Sequence, residues 1–128
     1  MRPSVMDIRM MRAWAAMIVL AATLPPVSAL ARETGNFAGT ASYYSADYRG
    51  RVASGSQYDP QKFTAAHKTL PFGTRVRVNC PRTGRSVTVV INDRGPFSPG
   101  RVLDLSYAAA QALHMIGRGL VKVEAQVE

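Results

Sequence analysis

Three residues of this chain have the chemistry and the setting to move protons: His67, Asp93 and Asp104. A carboxyl group serves as a general acid when protonated and as a general base when ionised, and an imidazole takes either part near neutral pH. His67 stands in Thr64-Ala65-Ala66-His67-Lys68-Thr69-Leu70-Pro71, Asp93 in Asn92-Asp93-Arg94-Gly95-Pro96-Phe97, and Asp104 opens Asp104-Leu105-Ser106. Taken singly, each has an ordinary structural explanation. A loop aspartate makes Asx-type hydrogen bonds, and an isolated histidine ties a loop to a core edge. Taken together, an aspartate placed where a Val/Ile-rich run meets a Gly-Pro turn, a second aspartate and a histidine form a candidate site, because a rigid scaffold presents side chains to a ligand at such strand ends.

The elements that must position them are short and mostly extended. Phe37 to Tyr44 is rich in small, β-branched and aromatic residues, and Thr74 to Asn79 and Ser86 to Asn92 carry Val or Ile at alternate positions, the pattern of half-buried strands. Cys80 to Arg85 between them, with its Pro and Gly, marks a hairpin-like turn. Arg101 to Leu105 reads as a short strand. Ser106 then caps a helix that places Ala109, Leu113 and Ile116 on one face and ends at Gly117, with His114 facing solvent near its end. Leu120 to Val127 alternates again and closes the series as a strand. The fold class is mainly β, with one or two short helices. A sheet of this size must cover its edges, which predicts a closed or nearly closed barrel.

The chain has 128 residues, 16 Lys+Arg against 8 Asp+Glu, and one cysteine, enough for one domain but hardly two. Arg2, Arg9 and Arg12 precede an apolar run from Ala13 to Leu24, and small residues up to Ala31 follow it, the pattern of a cleavable secretory leader over residues 1–31. The domain then occupies residues 32–128, exported to the periplasm or cell envelope, with no stable membrane anchor after leader cleavage. The basic balance fits an anionic glycan, a membrane surface or nucleic acid; export favours the glycan. No phosphate-binding Gly loop, zinc-ligand spacing or nucleic-acid motif is present, so no nucleic acid partner is expected. Cys80 has no partner for an internal disulfide and reads as a buried strand-end residue. No metal or other cofactor is expected, because His67, His114 and Cys80 fall in separate elements.

The motifs resemble those of the rare lipoprotein A (RlpA-like) family of double-psi β-barrel proteins, bacterial wall proteins that include lytic transglycosylases. Gly39-Thr40-Ala41-Ser42-Tyr43-Tyr44 is similar to the family's opening strand, Thr64 to Pro71 to its TAAHKTLP signature, Asn92 to Phe97 to NDRGPF, and Arg101 to Ala110 to its R-V-x-D-L-S-Y-A-A-A segment. The resemblance runs from about Gly39 to Glu124 and implies a six-stranded, pseudo-twofold double-psi barrel with an open surface groove. It also implies cleavage of the peptidoglycan glycan strand, from N-acetylmuramic acid to N-acetylglucosamine, with a 1,6-anhydro-muramyl product and naked strands as a candidate preference. In that reaction the substrate's own C6 hydroxyl, and not water, attacks the anomeric carbon, so one carboxyl suffices as acid and then as base.

Carried over position by position, Asp93 is the candidate general acid/base. Asp104 is its rival, because the same barrel occurs in expansin-like wall proteins whose matching D-L-S aspartate lies in the groove. His67 orients a carboxylate or binds sugar hydroxyls. Ser42, Tyr44, Ser56, Gln57, Lys68 and Arg94 are the candidate substrate-binding residues; of Tyr43 and Tyr44 only one faces the site, and Arg94 projects away from Asp93 if the two follow strand alternation. The chain departs from the family pattern at Ser54-Gly55-Ser56, where active members often carry N-G-E, so Ser56 stands in place of an acid. That departure keeps a second function open, a non-catalytic expansin-like module that binds wall glycan. In both readings the partner is the peptidoglycan glycan strand and the protein acts as a monomer.

Overall fold

A computed structural model describes residues 35–128; the leader expected over residues 1–31 lies outside the described residues. Six strands, β1 (Asn36–Tyr43), β2 (Thr64–Ala66), β3 (Arg75–Cys80), β4 (Arg85–Asp93), β5 (Arg101–Leu105) and β6 (Val121–Val127), and one helix, α1 (Tyr107–Ala112), make up the domain. The strands close into a barrel in the order β1-β5-β2-β4-β3-β6. Exchanging β1 with β4, β2 with β5 and β3 with β6 reproduces the same cyclic order, which is the pseudo-twofold symmetry of a double-psi barrel. Its two parallel pairs, β1 with β5 and β2 with β4, are related by that exchange, and each carries one register irregularity.

Alternation sets the interior. In β3 the valines Val76 and Val78 are fully buried between exposed Arg75 and Arg77, and in β6 Val121, Val123 and Ala125 turn inward while Lys122, Glu124 and Gln126 face out. Val89, Ile91, Leu103 and Leu105 complete the centre of the core. Each such side chain contributes about 1.5–3 kcal/mol relative to exposure. Cys80 is buried at the end of β3 with a free thiol, as a strand-end residue should be.

Two elements differ from the sequence expectation. β2 is only three residues long and carries no alternation to find it by. The helix stops at Ala112, so Ile116 falls beyond it and is exposed, and Gly117 is not its terminator. The reason is a C-terminal cap built without glycine. His114 takes a left-handed φ of 56°, its N–H donates to Gln111 O at 3.0 Å, and Met115 N–H reaches back to Ala110 O at 2.9 Å. This is the Schellman arrangement, and the fully buried Met115 side chain anchors the reversal in the core.

At the other helix end Ser106 is buried, and its Oγ accepts from Ala109 N at 3.3 Å and from Thr64 N at 3.2 Å. It therefore caps α1 and holds the start of β2 beside it. Ser106→Ala is expected to lose about 2–3 kcal/mol, a lost cap plus an unsatisfied backbone donor, measured by chemical denaturation. His114→Gly is expected to gain up to about 1 kcal/mol in the same measurement, by relieving the left-handed side chain.

Candidate active site

Strand β2 runs between β4 and β5, and Ala66 is in register with Asp93 on one side and Asp104 on the other. Two aspartates eleven residues apart are thereby fixed on one rung of the barrel, about 10 Å apart at the backbone from the strand spacing. The end of β1 arrives beside them, with Ser42 in register with Asp104.

Tyr44 binds one of the two carboxylates. Its hydroxyl donates to Asp93 Oδ2, while its ring stacks on Tyr48 with centroids 5.3 Å apart and meets Tyr58 at 4.9 Å. Burial, the hydrogen bond to Asp93, and the charges of Asp93 and Asp104 push the phenol far above its ordinary value, so it stays a proton donor. Tyr43 faces elsewhere: its hydroxyl accepts from Gly117 N at 3.0 Å. One tyrosine of the pair therefore serves the site, as strand alternation requires.

The two carboxylates have different surroundings. Asp93 Oδ1 accepts backbone N–H groups from Ala53 at 2.7 Å and Arg94 at 2.9 Å, so with Tyr44 it receives three donors, none of them charged. Asp104 Oδ1 accepts from Ser42 and forms an ion pair with Arg101 Nη2 at 2.7 Å. Arg101 also donates to Ser42. Asp104 Oδ2 accepts no hydrogen bond among the described residues, and it lies 3.8 Å from the point a Cβ on Gly95 would occupy. Gly95 has a φ of 121°, a backbone conformation that favours glycine.

Sequence reasoning did not single out Arg101, although it lies inside the motif that carries Asp104. Nor did it single out Phe97, whose ring is 79% exposed beside Gly95.

The remaining candidates divide. Arg94 turns away from Asp93; its Nη1 donates to Leu70 O at 2.7 Å and His67 O at 3.3 Å, and its guanidinium sits 4.1 Å from the centroid of Phe72. It pins the segment after β2 instead of facing the carboxylates. His67 belongs to the same segment: its Nδ1 accepts from Thr69 N at 3.1 Å and Leu70 N at 3.0 Å, and its ring meets Phe37 edge-on at 5.0 Å. No hydrogen bond joins it to either aspartate among the described residues. Lys68 is exposed on that segment. Ser56 and Gln57 are exposed on the hairpin closed by the Arg51–Gln57 bridge, which docks on the end of β4 through Ala53 N and through Ser54 N to Asn92 O at 3.1 Å.

The carboxylates lie between that hairpin, which donates to Asp93, and the Gly95–Phe97 turn, which borders Asp104. Three open concavities of about 590 to 740 Å³ are lined by other residues. Among the described residues no three His, Cys, Asp or Glu side chains converge as metal ligands, and no helix is long and apolar enough to cross a membrane.

A family model described as "Lytic transglycolase" matches residues 36–125, nearly the whole described barrel. The chain belongs to this lytic transglycolase family. Relatives within the family include the Nostoc sp. protein named "Probable endolytic peptidoglycan transglycosylase RlpA", 54% identical over 95 residues that make up 72% of this chain and 26% of that protein. The Neisseria meningitidis "Endolytic peptidoglycan transglycosylase RlpA" is 48% identical over 87 residues, 67% of this chain and 36% of that one. The chain thus spans about a quarter to a third of the length of these curated relatives. Among solved structures, the Streptomyces papain inhibitor superposes with a TM-score of 0.59 at 25% identity, covering 72% of this chain and 93% of that one. Clavibacter michiganensis expansin gives 0.58 at 21% identity, covering 73% and 50%, a likeness of fold.

Within this lytic transglycolase barrel, burial and the nearby charges of Arg94 and Lys68 lower the pKa of His67 from its ordinary 6.5. The neutral ring is the form that accepts two backbone N–H groups at Nδ1. A histidine lowered on folding contributes stability that is complete above about 6.5 and is lost as pH falls through its folded value. Thermal or denaturant unfolding of the wild type is expected to weaken as pH drops below about 6.5. His67→Ala should show a smaller drop and, at neutral pH, a loss of about 1–3 kcal/mol from two donors without an acceptor.

Proposed function

We propose that this domain is an endolytic lytic transglycosylase of peptidoglycan, cleaving the bond from N-acetylmuramic acid to N-acetylglucosamine. The observation that carries the reading is the pair of unlike carboxylates held on one rung, one of them bound by Tyr44; the named activity of the family relatives supports it.

In the reaction, protonated Asp93 gives its proton to the departing glycosidic oxygen as the bond from C1 to that oxygen breaks. The O6 hydroxyl of the same sugar then bonds to C1 and yields its proton to Asp93, which returns to its starting form. No water enters, and one carboxyl completes the cycle. The donors around Asp93 match its accepting half-step. In its acid half-step Oδ2 carries the proton, and the Tyr44 hydroxyl is the neighbour that must turn. Asp104, ion-paired to Arg101 and with Oδ2 open, is the anion that faces the positive charge developing on the sugar ring. This assigns the rivals separate tasks. His67 and Arg94 act as positioning residues that set the segment following β2. Ser42 holds Asp104, and Ser56, Gln57 and Lys68 offer hydrogen bonds and one cation to sugar hydroxyls and muramyl carboxylates. A peptidoglycan substrate supports a location in the cell envelope, as does the leader expected at the N-terminus.

Ser56 favours a second reading, a wall-glycan binding module without catalysis, because its hydroxyl supplies no acid at neutral pH. The two are separated by product analysis. Purified sacculi and peptide-free strands are expected to yield 1,6-anhydro-muramyl ends by mass spectrometry. Asp93→Asn should lower the rate by about 10²–10⁴-fold, the usual worth of a general acid/base, and Asp104→Asn should lower it as well. Strand binding without anhydro product from the folded wild type would establish the binding module instead.

A further inference from the structure

An aromatic ring that stands largely in water beside a reactive carboxylate calls for an explanation, since burying a phenylalanine is worth about 1.5–3 kcal/mol. Phe97 is 79% exposed. Its ring edge and Asp104 Oδ2 are neighbours of the same empty point: a Cβ on Gly95 would lie 3.7 Å from Phe97 Cε2 and 3.8 Å from Asp104 Oδ2. The ring edge and the open carboxylate oxygen therefore both border Gly95, with no side chain of that residue between them. Tyr44, Tyr48 and Tyr58 pack against one another, and the Tyr44 hydroxyl is committed to Asp93. Phe97 is the most exposed large hydrophobic side chain among the described residues, ahead of Tyr48 at 38%.

We propose that Phe97 is a substrate platform: the apolar face of one N-acetylhexosamine ring of the glycan strand stacks on it and is thereby held with its glycosidic bond over Asp104 and Asp93. The inference rests on the glycan reading above and adds to it the residue that supplies affinity. A pyranose presents axial C–H groups on one face and equatorial hydroxyls around its rim. Stacking buries the C–H face against the ring while Asp104 Oδ2 remains available to a hydroxyl or to the anomeric centre. Because Phe97 lies outside the core, its removal leaves the fold intact.

The test uses the full chain and peptide-free peptidoglycan glycan strands, with binding measured by calorimetry in an Asp93→Asn background and turnover measured with Asp93 present. Phe97→Ala is expected to weaken binding and raise KM about tenfold, the effect of uncovering part of one aromatic face. kcat should change less than KM, and the thermal midpoint should stay unchanged. Phe97→Trp and Phe97→Tyr should bind within about twofold of the parent. Equal binding by Phe97→Ala, or no strand binding by the parent, overturns the platform. If Phe97→Ala binds more weakly while no anhydro product forms from the wild type, the platform stands and the transglycosylase reading falls. If product forms with an unchanged KM in Phe97→Ala, the reverse holds.

Discussion

The placement of Ala66 between Asp93 and Asp104 is the constraint on which the site depends. β2 is three residues long, yet it hydrogen-bonds in parallel to β4 and antiparallel to β5, so the two aspartate-bearing strands never touch and never drift apart. Their spacing is a property of the sheet and not of flexible side chains. Ser106 fixes the start of β2 from the helix side, and the Arg94 guanidinium fixes the segment that follows it. A strand too short to be stable alone is thus held at both ends, by a buried hydroxyl and by a guanidinium.

The same rung gives the two acids unlike surroundings. Asp93 is surrounded by neutral donors, two of them backbone groups, whereas Asp104 has a guanidinium and a hydroxyl on one oxygen and nothing on the other. Asp104 is about 20% exposed and Arg101 about 29%, so the pair is partly shielded from water. Unlike environments for two acids are the usual means by which one fold separates their duties.

The motifs were legible in the sequence because their turn and strand residues carry local signals. The Val/Ile alternation located β3 and β4, and the Gly-Pro turn after Asp93 marked a strand end. Arg101 was not legible as a partner of Asp104, since residues three apart on a regular strand face opposite sides. The pairing arises where the register slips: Thr40 pairs with Arg101 and Ala41 with Leu103, leaving Val102 between, with its side chain lying over Gly39, where a Cβ would come within 2.6 Å. No local pattern announces such a bulge. β2 escaped notice because three residues cannot show a period, and the helix end because a histidine occupies the left-handed position that glycine ordinarily marks. The neutral environment of Asp93 likewise depends on Ala53, forty residues away in sequence.

β1 pairs with β5 and β6, the two strands furthest from it along the chain. A nascent polypeptide that has produced β1 through β4 therefore has no mate for its opening strand, and the cylinder seals only when Val121–Val127 slots between β1 and β3. Sequence-distant contacts of this kind slow folding, because loop entropy is lost before much is gained in return. The sealing strand thus acts as a late gatekeeper: removing even its last few residues would expose two unsatisfied sheet edges, a prime invitation to self-association.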